Sequence, residues 1–93
     1  MNIQVVLTSV LKDTAGNERL VYDITEGTTV KDVLLELKSR FPAMGEELFD
    51  QDGRLEPHIF VAVNDAQVSR DGSLDRELQE GDEVALMVSF AGG

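Results

Sequence analysis

One stretch of this chain changes the spacing of its apolar residues, and that change limits the fold more than any other feature. In "TTVKDVLLELKSRF" (28–41), Val30, Val33, Leu34, Leu37 and Phe41 recur at the spacing of a single helix face. Thr29 with Asp32 three residues on resembles a capping box, the shorter Asp standing in for the usual Glu. Pro42 ends the helix, because the residue before a proline is pushed out of helical backbone. The spacing therefore predicts a one-sided helix of about three turns, and a one-sided helix must bury its apolar stripe against another layer.

The flanking segments supply that layer. Residues 3–11 ("IQVVLTSVL") alternate loosely, with Ile3, Val5 and Leu7 on one face and Gln4, Val6 and Thr8 on the other, which indicates a strand. "DTAGN" (13–17) carries turn chemistry, and "ERLVYDI" (18–24) returns as a second strand, giving an N-terminal hairpin. Tyr22 is a packing residue on it. "TEGTT" breaks the pattern. The segment 43–58 is a polar excursion with a short helical turn around Glu46–Phe49. "IFVAV" (59–63) is a third strand, followed by an Asn-Asp turn and a brief edge strand at "AQV". "SLDREL" reads as another helical turn, "EGDE" reverses the chain, and "VALMVSF" (84–90) is the last strand. Hairpin, helix, three further strands: the order predicts an α+β fold, a mixed sheet packed on one main helix. The long crossover allows the first and last strands to lie parallel in the sheet centre. That is the β-grasp, or ubiquitin-like, arrangement. Residues 1–90 are read as one such domain and Ala91-Gly92-Gly93 as a flexible tail.

Composition excludes several function classes. Without cysteine there is no disulfide framework, no thiolate metal site and no side-chain thiol nucleophile. The formal charge of −10, from 18 acids against 8 bases, argues against nucleic-acid or anionic-membrane binding and favours a partner with a basic docking face. The N-terminal apolar stretch has no basic flank and is too short to span a bilayer, so the expected location is cytoplasmic. His58 is the single histidine and sits at a strand entrance, leaving no histidine-based metal cluster and no Ser-His pair. "DQDG" places Gly53 fourth, where a calcium loop needs glycine sixth, and reads as an acidic turn. No phosphate-binding glycine motif occurs, no metal site is expected, and nothing reads as an enzyme active site.

Three segments carry a resemblance: "TTVKDVLLELKSRFP", "LFDQDGRLEPHIFVAVND" and "LQEGDEVALMVSFAGG". Together they resemble the MoaD/ThiS family of ubiquitin-like sulfur carriers, which includes the small subunit of molybdopterin synthase and the thiamine-pathway carrier. They are also similar to archaeal small modifier proteins. One departure is visible: many relatives carry a proline pair where this chain has Ser89-Phe90. The resemblance implies that a ubiquitin-activating-type adenylyltransferase uses ATP to activate the Gly93 carboxylate, which then becomes a thiocarboxylate. It implies further partners: a sulfur-accepting synthase or a sulfur-donor enzyme, or target-protein lysines if the chain is a modifier. The chain itself would bind no cofactor. Gly93 would provide the reacting carbonyl and Gly92 the clearance, with Ala91 the last small side chain before the fold. Glycines without Cβ let the main chain approach a narrow channel. A carrier of this kind needs no cysteine, since sulfur sits on the backbone terminus.

Parity also proposes a docking surface. If Val84, Leu86 and Val88 face the helix, Met87 points away; if Ile59, Val61 and Val63 do, Phe60 and Ala62 point away; Val6 has the same outward parity. Val6, Phe60, Ala62 and Met87 would then form an exposed apolar patch, a feature that marks protein interfaces. Phe90 either plugs the core rim or packs against a partner beside the tail. Three functions fit: a sulfur carrier acting through Gly93, a modifier joined through Gly93 to lysines, or a β-grasp binding module with an inert tail.

Overall fold

The computed structural model describes residues 1–68 and 73–89. Strand β1 (Asn2–Leu7) is followed by helix α1 (Ser9–Ala15), strand β2 (Arg19–Asp23), and helices α2 (Val30–Arg40) and α3 (Pro42–Leu48). Strands β3 (Ile59–Val63), β4 (Ala66–Gln67) and β5 (Glu83–Val88) complete the sheet, with a single 3₁₀ turn at Ser73–Asp75 before β5. The strand order is β2-β1-β5-β3-β4. The first and last strands are parallel and central, and the remaining pairs are antiparallel. This is the mixed sheet of a β-grasp fold.

Helix α2 forms where the apolar spacing places it. Its Thr29 Oγ1 accepts from the Asp32 N–H at 3.2 Å, and Asp32 Oδ2 accepts from the Thr29 N–H at 3.0 Å, a complete capping box. Val30, Val33, Leu34 and Leu37 are buried. They join Ile3, Val5 and Leu7 of β1, Val61 and Val63 of β3, and Val84 and Leu86 of β5 in one core. Every second residue of these strands faces the helix, which leaves the alternate residues on the opposite side of the sheet.

Several local expectations are corrected. The strand expected over 3–11 stops at Leu7, and the turn expected at 13–17 is the end of α1 instead. Leu7 and Leu11 are four residues apart, a spacing that satisfies both a period of two and a helical turn, so alternation could not tell them apart. The Thr8 carbonyl accepts from the Leu11 and Lys12 N–H groups at 3.1 and 3.3 Å, turning the chain. Gly16, at φ 76°, closes the helix by donating to the Lys12 carbonyl. The hairpin pairing of β1 with β2 survives, but a helix joins them rather than a tight turn. The helical turn expected at Glu46–Phe49 is the end of α3, which begins at Pro42. Proline at the first helical position needs no N–H partner, and Met44 and Leu48, four apart, are both buried. The last strand runs Glu83–Val88 and leaves out Ser89, while Phe90, its expected last residue, lies outside the described residues. Tyr22 is half-buried against the core, and its hydroxyl accepts from Arg40 at 3.3 Å.

Candidate functional site

The face of the sheet turned away from α2 is ordered by strand register. One row runs across all five strands: Arg19 lies opposite Val6, Val6 opposite Ala85, Ala85 opposite Ala62, and Ala62 opposite Gln67. In the next row, toward the end of β5, Phe60 is paired with Met87. Val6, Phe60, Ala62 and Met87 thus share one face, in adjacent rows. Their exposure is uneven. Met87 is 39 % exposed, and Val6 and Phe60 are half-buried. Ala62, expected as part of the exposed patch, is only 7 % exposed; its methyl is short enough to form the floor between larger neighbours rather than a contact surface.

Register adds two residues to this face: Ala85, which alternation on the last strand already turns outward beside Met87, and Val21. Ala85 joins Val6 to Ala62 in the same row. Val21, opposite Gln4 on β2, is 65 % exposed and adds an apolar side chain to the same face at the edge of its polar end. The signal for Val21 was its parity on the second strand, readable once the β1–β2 register is known.

The face is polar at one end and apolar at the other. At the start of β5, Arg19 Nη1 donates to Gln4 Oε1 at 3.0 Å and to Glu83 Oε1 at 3.3 Å. At the end of β5, Met87 and Phe60 stand beside the point where the chain leaves the sheet. There Ser89 donates its N–H to the His58 carbonyl at 2.8 Å. The apolar pair therefore borders the root of the C-terminal segment. The expected tail and partner residues Phe90, Ala91, Gly92 and Gly93 lie outside the described residues.

Other motifs take structural roles. In "DQDG", Asp50 Oδ1 accepts from the Asp52 and Arg54 N–H groups, each at 2.9 Å, so the acidic turn is closed by its own carboxylate. His58 is exposed and immediately precedes β3. Among the described residues, no group of three or more His, Asp and Glu side chains is arranged to hold a metal ion, and no helix is long and apolar enough to cross a membrane.

Comparison with known proteins agrees with the β-grasp topology. The model of the ThiS family matches residues 5–93. The chain belongs to that family. It is 28 % identical over 95 residues to the sulfur carrier protein CysO of Mycobacterium tuberculosis, covering the whole of both chains. A crystal structure of SAMP1, small archaeal modifier protein 1, from Haloferax volcanii superposes with a TM-score of 0.87 at 30 % identity, again over all of both chains. A CysO from Amycolatopsis orientalis, solved in a BexX/CysO complex, matches with a TM-score of 0.76 at 26 % identity, over 98 % of this chain and 99 % of that one. These relatives are named as carriers and modifiers, not as catalysts. The ThiS-family chain is thus a small ubiquitin-like protein of the sulfur-carrier and modifier group.

Proposed function

We propose that this ThiS-family chain is a sulfur carrier, activated and loaded at the Gly93 carboxylate by an ATP-using adenylyltransferase of the ubiquitin-activating type. The observation that carries this reading is the sequence Ala91-Gly92-Gly93, separated from the central strand β5 by only Ser89 and Phe90, in a chain whose family match runs through Gly93. A carboxylate is a weak electrophile with no good leaving group. Attack of its oxygen on the α-phosphorus of ATP expels pyrophosphate and leaves an acyl-adenylate. A sulfide-level nucleophile then displaces AMP, forming the C–S bond of a thiocarboxylate. The chain would supply only the carboxyl and the approach to it; ATP, metal and proton transfers belong to the partner. Glycines at 92 and 93 remove every Cβ from the segment that must enter the partner's channel. The apolar pair Phe60 and Met87, with Val6 and Ala85 behind it, is the surface that partner grips, Ala62 forming its floor; Phe90 is proposed as a further contact residue for the partner. The Amycolatopsis complex supports a grip of this general kind, since a CysO is held there by another protein. Under this reading, the need for ATP implies a cytoplasmic reaction. The loaded sulfur would pass to a cofactor, amino-acid or tRNA thiolation pathway.

The likeness to SAMP1 supports a second reading, in which the activated Gly93 carbonyl is transferred to lysines of target proteins. Intact mass of the protein purified from its own cells separates the two. A form heavier by the sulfur-for-oxygen difference, absent when Gly93 is deleted, supports the carrier. Lysine adducts bearing Glu77–Gly93, the remnant left by trypsin after Arg76, support the modifier. A terminus that carries neither, with function intact after removal of both glycines, overturns both readings and leaves a binding module.

A further inference from the structure

The helical side of the molecule carries a groove that the sheet-face reading does not use. It lies between the C-terminal half of α2 and helix α3, is open to solvent, and has a volume of about 670 Å³. Its apolar floor is Pro42, Gly45 and Phe49. Gly45 keeps it shallow and close-packed: a Cβ there would stand 2.5 Å from Lys38 Cγ, so α3 rests on the lysine stem. Around this floor stand the carboxylates of Glu46, Asp50 and Glu56, against the single ammonium of Lys38, which lies 5.7 Å from the Phe49 ring centroid. Three acids to one base leave the groove negative. The acids are not equivalent. Asp50 is engaged by its own turn, whereas the side-chain carboxylates of Glu46 and Glu56 make no hydrogen bond or ion pair to a described residue, so their charge is free to face a ligand.

We propose that this groove is a second docking site, which takes a segment of a partner protein carrying an arginine or lysine beside an apolar side chain. An apolar floor with an unpaired acidic rim fits a segment of that composition. The ring of Phe49 already has a cation above it, which shows the groove's chemistry toward positive charge. Its position gives the site consequence. The Glu56 carbonyl accepts from the Ile59 N–H at 3.0 Å, and the His58 carbonyl accepts from Ser89 at 2.8 Å. The groove's edge is thus two residues from the point where the tail leaves the sheet, on the side opposite Phe60 and Met87. A protein seated in the groove stands beside the tail without covering the sheet face. The site does not depend on what chemistry occurs at Gly93.

The test is an NMR titration of the full chain with the blocked peptide Leu-Arg-Leu-Arg. Amide shifts confined to Lys38, Gly45, Glu46, Phe49 and Gln51 are expected. The double variant Glu46→Gln/Glu56→Gln should weaken binding roughly three- to tenfold, the scale of two rim ion pairs. The charge-matched control Glu18→Gln/Glu26→Gln, two exposed acids outside the groove, should leave affinity within roughly 1.5-fold. Equal weakening by both double variants, shifts on the sheet face or scattered over the acidic surface, or no saturable binding each overturns the proposal.

Discussion

At its start, strand β5 is tied down by a polar clasp of side chains; toward its end, the sheet ladder is joined by a bond from the Thr8 hydroxyl to the Leu86 carbonyl at 3.2 Å. Asp82 Oδ1 accepts from the Asn64 side-chain amide and Oδ2 from the Gln79 N–H, both at 2.8 Å. The Asn64 side-chain oxygen accepts from the Glu83 N–H at 3.0 Å, and the Asn64 N–H donates to the Glu83 carbonyl at 2.9 Å. Gln4 donates to the Asp82 carbonyl, and Gly81 to that of Asn2, fixing β5 against β1. Past the last ladder pair, Ile59 with Val88, the Ser89–His58 bond closes the strand. The contrast assigns different tasks to the two ends. Because side-chain period is two, a one-residue slip of β5 would turn Met87 inward and Leu86 outward. Clamping the register upstream lets the downstream end present a surface and a terminus without contributing to that clamp.

The sharpest way to break this division is at the terminus. Gly93→Val keeps the carboxylate and adds a branched side chain where the reading requires none. With the ATP-using partner, acyl-adenylate formation should fall about a hundredfold or more, the scale of a displaced reacting group. The reading has Gly93 serve the partner rather than the fold, so the thermal midpoint should stay within about 1 °C. Pyrophosphate exchange and a melting curve on the same sample measure both. Charging that survives intact would detach the tail from the function. Next in size is Met87→Thr, which retains a strand-favouring residue and removes the most exposed side chain of the set Val6, Phe60, Ala62 and Met87. We expect KM for the partner to rise roughly tenfold with kcat unchanged, the signature of lost uniform binding. A fall in kcat alone would place Met87 in positioning the tail instead.

What could be read from the sequence divides along the same line. Helix α2 was legible because propensity, capping and spacing agree at Thr29, Asp32 and Val30–Leu37. Strand β3 was legible with its bounds, Ile59–Val63, because β-branched alternation ended on an Asn-Asp pair. Helix α1 was not legible, since Leu7 and Leu11 fit either period and only the reversal at Thr8 decides. The outward parity of Val6, Phe60 and Met87 followed from alternation, but two things about that face did not. The burial of Ala62 depends on the neighbouring strands and on its own short side chain. The inclusion of Val21 depends on pairing across strands. The clasp was invisible for the same reason: Asn64 and Asp82 are eighteen residues apart, and nothing local links them.

Asn64 offers a smaller and more local way to sharpen the comparison. With Asp65 it forms the two-residue link from β3 to β4, both at positive φ, 50° and 73°, as a primed hairpin turn requires. Asn64→Ala should cost about 1–2 kcal/mol, combining the lost side-chain bonds with left-handed backbone strain. Asn64→Gly removes the bonds but relieves the strain, and should recover about half of that. Urea unfolding separates the two contributions. If both variants match the parent, the clasp does not hold the strand's start.

The smallest effect concerns Arg19 and Glu83, and its sign is informative. Their side chains are 58 % and 44 % exposed and 3.3 Å apart, so the pair alone is worth only about 0.2–1 kcal/mol. The chain carries −10 formal charges, which makes the two partners unequal. Removing Arg19 loses the pair and increases repulsion among the acids; removing the Glu83 charge loses the pair but relieves that repulsion. Arg19→Gln should therefore destabilise by about 0.5–1 kcal/mol, while Glu83→Gln stays within about 0.5 kcal/mol of zero. Salt should shrink both differences, because a screening length of about 3 Å in 1 M salt reaches no further than the pair itself. The cost of Asn64→Ala, carried by hydrogen bonds and backbone strain, should persist under the same conditions. Urea midpoints in low and high salt then distinguish the electrostatic part of the upstream anchor from its hydrogen-bonded part. Equal costs for Arg19→Gln and Glu83→Gln would mean that the acidic surface exerts no net field at this end of β5.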